Sequence, residues 1–141
     1  MQEKHSVNMK WLGKLAFETE MDGHKVITDA SPEIGGEDLG PRPKRLMLTA
    51  LAGCTGIDIS LILKKMKVEI SDMNISVEGD LSQEHPQYYT KMHVIYEFWG
   101  KAVPLKKIER AVSLSEEQYC GVSALYKKAI EVTSEIRIHE I

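Results

Sequence analysis

Apolar residues first recur along this chain at every second position. Val7, Met9 and Trp11 alternate with Ser6, Asn8 and Lys10, and Leu15, Phe17, Thr19 and Met21 share one face of the next run. A period of two is that of a strand with one covered face. Asp22-Gly23 follows, a dipeptide suited to a two-residue hairpin because both positions accept positive φ. Lys25 to Asp29 returns as a third strand, which predicts a three-stranded antiparallel sheet. Residues 30–42 are the longest breaker-rich stretch in the chain, and a loop of that length is commonly functional. Pro43 then suits a first helical turn, where its missing N–H loses no hydrogen bond.

From Pro43 to Val68 the pattern changes. Leu46 to Ile57 carries no charge, and its apolar residues occupy every side of a 3.6-residue spiral, which predicts a central helix buried on all sides. Asp58, Lys64 and Lys65 leave the uncharged run too short for a membrane span. Gly53 and Gly56 each cost a helix about 1 kcal/mol relative to alanine. Their spacing supplies a reason. Ala52, Gly56 and Ser60 form a ridge without bulk, Thr49 and Gly53 a second beside it, and together they frame Cys54.

Beyond Lys67 the period returns to two. Met73, Ile75 and Val77 predict one strand and Met92, Val94, Tyr96 and Phe98 another, joined by a turn over Gln83 to Pro86. Pro104 opens a helix with Leu105, Ile108, Ala111, Val112 and Leu114 on its apolar side. Ser113 and Glu116 fit a capping box, so a new helix is predicted to start there and carry Cys120. Val132, Ser134, Ile136 and Ile138 close the chain as a last strand. No repeat or linker interrupts residues 1–141, which read as one domain.

The net charge of −3 and a pI near 6.0 leave no basic footprint for nucleic acid. Met1 to Lys14 lacks the apolar core of a signal peptide, so the expected location is cytoplasmic. In a reducing compartment Cys54 and Cys120 are candidates for a free, catalytic or redox-active pair. Only a thiolate is a nucleophile, and a cation or a helix N-terminus favours it. Cys54 lies about three turns inside its helix, too deep for that help, whereas Cys120 stands near a helix start. Asp58, four residues after Cys54, opposes ionisation if it is near. Both cysteines also fit inert core positions, and spacing alone leaves these readings open. The five histidines show no ligand spacing, so no metal is expected. Arg42 and Arg45 stand at the mouth of the apolar helix beside the long loop.

The run from Gly40 through Pro41-Arg42-Pro43-Lys44-Arg45 to Ala52-Gly53-Cys54-Thr55-Gly56-Ile57-Asp58 resembles the first signature of the OsmC/Ohr family. Leu114-Ser-Glu-Glu-Gln-Tyr-Cys120-Gly-Val-Ser-Ala-Leu125 resembles the second. The resemblance implies an α+β fold in which two intertwined subunits pack antiparallel sheets around a central buried helix from each. The active site then lies at the homodimer interface. It also implies thiol peroxidase chemistry without a cofactor. The residue matching Cys54 attacks an organic hydroperoxide and becomes a sulfenic acid, the one matching Cys120 resolves it as a disulfide, and an external dithiol of lipoyl type reduces that.

The chain departs from the family's peroxidases at the charged positions. They carry a carboxylate one or two residues after the first motif's proline, paired with an upstream arginine; here Lys44 and Arg45 stand there, and no arginine precedes Arg42. Arg42 is therefore the candidate cation for Cys54, with Lys44 and Arg45 as candidates for holding an anionic ligand group. The alternatives are a non-catalytic protein that binds a small apolar or anionic ligand at the dimer interface, and a fold whose cysteines only pack.

Overall fold

The computed structural model describes residues 3–141, and the chain divides into two compact units, the first ending at Met47 and the second spanning Leu48–Ile141. In the first, β1 (Lys10–Trp11), β2 (Phe17–Met21) and β3 (His24–Thr28) form an antiparallel sheet in that order. Asp22 and Gly23 have φ of 51° and 80°, the pair of left-handed residues that the hairpin requires. β1 is far shorter than the alternation from Ser6 to Trp11 predicts. Alternation sets a face, but a strand also needs a neighbouring backbone, and β2 pairs with β1 only at Lys10↔Glu18 and Trp11↔Phe17.

The long loop is organised by a carboxylate. Asp29, buried at the end of β3, accepts the backbone N–H groups of Ala30, Glu37 and Leu39 at 2.7, 3.2 and 3.1 Å. These amides, Ala30's above all, hold its pKa below the ordinary carboxylate value, and the Arg42 charge adds to the effect. Gly40 closes the loop against β3, where a Cβ would fall 2.1 Å from the Ile27 carbonyl oxygen.

The chain then makes a 3₁₀ turn, Pro43–Arg45, and enters α1 (Leu46–Lys65). β4 (Asp72–Leu81), β5 (Tyr89–Gly100), α2 (Leu105–Leu114), α3 (Gly121–Lys127) and β6 (Glu131–Glu140) follow. The second sheet has the order β4-β5-β6, and its pattern matches the predicted faces: Met92, Val94, Tyr96 and Phe98 are all buried. β4 and β5 pair antiparallel, but β5 and β6 pair parallel, from Lys91↔Glu131 to Gly100↔Glu140. The expectation of antiparallel sheets throughout is corrected here. The helical stretch between β5 and β6 is a crossover of the length that parallel pairing needs, and it returns the chain in the same direction.

A second correction concerns α1. The helix buries only Leu51, Thr55, Ile59 and Leu63, an i, i+4 stripe, while Ile57 and Leu61 are 65% and 57% exposed. The uncharged sequence does not place protein on every side of the helix within one chain. Gly56 admits β4, since a Cβ there would stand 3.2 Å from Ile75 Cδ1. Pro43–Lys65 is long and apolar enough to cross a bilayer. Its buried stripe nevertheless joins the core of the second unit, with Tyr96, Phe98, Ile108 and Ala111. On the outward face of the sheet His93 bonds Thr133 and Glu135, and His139 bonds Glu97 while stacking on Trp99.

Candidate functional site

Cys54 and Asp58 are four residues apart on α1, so both point from one face of the helix. Cys120 reaches them from another element. The predicted capping box at Ser113 is absent, because Ser113 lies inside α2 and the helix runs on into a π turn, Ser115–Tyr119. The turn closes with the Cys120 N–H donated to the Ser115 carbonyl at 2.7 Å. Cys120 is extended (φ −81°, ψ 103°) and is itself the N-cap of α3, its sulfur accepting the Ser123 N–H at 3.3 Å. Inserted turns of this wider kind are frequent at functional sites, where they re-aim a side chain.

The result is a compact cluster. The Cys54 and Cys120 sulfurs and an Asp58 carboxylate oxygen all lie within 4.8 Å of one another. Both thiols are free, Cys54 half-buried and Cys120 buried. Ser115, with no exposed surface, donates its hydroxyl to Asp58 Oδ2 at 3.1 Å. On the far side Tyr96 donates to Glu116 Oε2 at 3.0 Å and hydrogen-bonds Thr55, and Ser134 reaches Glu116 Oε1 at 3.4 Å. Burial, reinforced by Glu116, raises the Tyr96 pKa, so this phenol stays neutral.

The Cys120 thiol is pushed up from 9.0 to about 11. Burial is the main cause; the Ser123 and Val122 amides pull the other way, and hydrogen bonding with Cys54 adds to the rise. This reverses the expectation that a helix start favours a Cys120 thiolate. α3 is a single short helix, and its amides do not offset the loss of water.

The basic residues named from the sequence belong to the first unit. Arg42 caps the 3₁₀ turn, and its guanidinium donates to the Asp38 carboxylate and the Gly40 carbonyl. Lys44 and Arg45 lie within that turn. Sequence reasoning missed Ser115 and the Tyr96–Glu116 pair; a serine directly after the last apolar residue of α2 was the available signal for the first. A groove of about 730 Å³ runs between the C-terminal half of α1 and Val68–Met73, and neither thiol lines it.

The OsmC-like protein family model matches residues 35–135. Protein YhfA of Escherichia coli K12 is 29% identical over 126 residues, covering 89% of this chain and 91% of its own. Among solved structures, a hypothetical protein from Aquifex aeolicus has a TM-score of 0.82 and 28% identity, over 98% of this chain and 99% of that one. An organic hydroperoxide resistance protein OsmC from Legionella pneumophila has a TM-score of 0.69 at 18% identity, over 96% and 99%. That last likeness concerns the fold. The match spans both cysteine motifs and the elements between them, and the chain belongs to the OsmC-like protein family.

Proposed function

We propose that this protein is a thiol peroxidase that reduces organic hydroperoxides, with Cys54 as the attacking residue and Cys120 as the resolving one. The observation that carries this reading is the approach of two free thiols from separate elements to within 4.8 Å. Their surroundings support the division of roles. Cys54 is half-buried and reachable, whereas Cys120 is buried and holds its proton to about pH 11.

In this reading the Cys54 thiol gives up its proton, the thiolate attacks the distal peroxide oxygen, the O–O bond breaks, and the alkoxide takes that proton and leaves as the alcohol. Cys54 is then a sulfenic acid. Cys120 attacks that sulfur, the S–O bond breaks, and the hydroxyl departs as water with the proton Cys120 gives up. Asp58 stands beside both sulfurs, placed to pass that proton across. An external dithiol reduces the disulfide and is itself oxidised.

A homodimer in the cytoplasm is part of the same proposal. Ile57 and Leu61 are exposed on α1, and a second copy packed on them buries apolar surface next to Cys54. Sedimentation equilibrium of Ile57→Glu should give a folded monomer where the wild type is a dimer. The reaction itself is tested by adding cumene hydroperoxide to the reduced protein and mapping disulfides by mass spectrometry. One equivalent of peroxide should produce a Cys54–Cys120 bond. Persistence of both free thiols would refute the reading and favour a binding protein.

A further inference from the structure

We infer that the reduced protein holds a thiophilic divalent cation of the Zn²⁺ class on Cys54, Asp58 and Cys120, with a fourth coordination position open. The inference departs from the sequence expectation of no metal, which looked to histidine spacing. It does not rest on the peroxidase reading.

The donor set is the first argument. Two thiolates and one carboxylate suit Zn²⁺, Co²⁺ and Cd²⁺ and not Mg²⁺ or Ca²⁺, which take oxygen ligands. Spacing is the second. Tetrahedral Zn²⁺ with bonds of about 2.0–2.3 Å wants its donors roughly 3.5–3.8 Å apart. The three atoms here lie within 4.8 Å of one another, so small side-chain rotations bring them to bonding distance. Cys54 and Asp58 come as an i, i+4 pair from one helical face and Cys120 from another element, so the ligands converge from two directions.

The surrounding hydrogen bonds are the third argument. A metal-ligating carboxylate is ordinarily held by a further donor, as is a thiolate sulfur. Ser115 donates to Asp58 Oδ2, and the Ser123 N–H points at Cys120 Sγ. Cys54 and Asp58 are only half-buried, so water reaches the cluster as a fourth ligand. Three protein ligands with an open position is the pattern of reactive zinc sites, whereas structural ones are closed by a fourth residue. The cation would displace the protons of both thiols. A Cys54–Cys120 disulfide removes two of its three ligands, so metal and disulfide exclude each other.

The test is an anaerobic titration of the reduced full-length protein with Co²⁺, which involves no peroxide and so is indifferent to peroxidase activity. One Co²⁺ per chain should bind with thiolate charge-transfer absorption in the near ultraviolet and tetrahedral bands in the visible. Zn²⁺ should displace it. Cys54→Ser should weaken the charge-transfer absorption, and protein oxidised to the disulfide should lose it altogether without any substitution. Asp58→Asn, which keeps an acceptor for Ser115, should weaken Co²⁺ affinity by at least about tenfold. No charge-transfer absorption at millimolar Co²⁺ would overturn the inference, as would a spectrum unchanged by Cys54→Ser. A spectrum and affinity untouched by Asp58→Asn would overturn the three-ligand site.

Discussion

Cys54 lies in the middle of a 20-residue helix, half-buried, with exposed Gly53 and Ile57 beside it. Cys120 caps a helix of 7 residues, is 2% exposed, and has an amide aimed at its sulfur. A helix N-terminus is the usual route to a reactive thiol, and by that rule Cys120 is the better nucleophile. The environment of Cys120 works against that rule. Burial raises the Cys120 thiol to about 11 against the pull of two amides, so water exclusion outweighs the helix end. The difference between the two regions lies in exposure: solvent reaches the thiol inside the long helix and is kept from the one at the start of the short helix.

The largest expected effect breaks the comparison outright. Cys54→Ser should lower organic hydroperoxide consumption by at least about a thousandfold, because the proposed nucleophile is gone. Cys120→Ser should also stop turnover, yet leave one rapid equivalent of peroxide reduction, with a sulfenic acid on Cys54 that dimedone traps. Equal single-turnover rates for the two variants would show that the regions are interchangeable.

Next in size is the pH dependence of disulfide closure. Cys120 attacks only after losing its proton, and below its pKa the thiolate fraction grows about tenfold per pH unit. Closure of Asp58→Asn, measured by rapid quench, should therefore accelerate about a hundredfold from pH 7 to 9, whereas the wild type, in which Asp58 hands that proton to the departing hydroxyl, should change little over the same range. Stability should move the other way. Unfolding returns the thiol to its ordinary value of 9.0, so between pH 9 and about 11 the folded chain keeps a proton that the unfolded one has lost. Stability falls as pH rises through that window. In Cys120→Ala this component of the fall should vanish from a Tm series.

The contrast between the thiols was only half legible in the sequence. Alternation at Met92, Val94, Tyr96 and Phe98 placed the inner face of the second sheet, because one covered face imposes a period of two. The same reasoning overreached on α1. An uncharged run shows that a helix avoids water but not which chain covers it, and Ile57 and Leu61 are open here. The parallel strand β6 was hidden because pairing direction depends on the crossover, not on the strand's own residues. Both cysteines were evident as candidates, and their meeting was implied only by the family resemblance. Ser115 was not evident. Its role depends on a π turn, and the spacing of Ser113 and Glu116 pointed to an ordinary helix start instead.

The smallest expected effect sharpens the comparison at Asp58, which both regions share. Ser115→Ala removes a buried hydroxyl from the Asp58 carboxylate. A lost hydrogen bond of that kind costs about 1–2 kcal/mol, which denaturant unfolding resolves. If Ser115 only packs, closure of the disulfide should not change beyond that loss of stability. If it positions Asp58 between the sulfurs, closure should slow several-fold at pH 7 while attack on peroxide by Cys54 keeps its rate. Asp58→Asn separates the two, since the amide still accepts from Ser115 but takes no proton. It should slow closure with little loss of stability, and adding Ser115→Ala to it should slow closure no further. Simple additivity of the two rate effects would show that serine and aspartate act independently. Non-additivity would place the hydroxyl, the carboxylate and both sulfurs in one working unit that joins the middle of α1 to the start of α3.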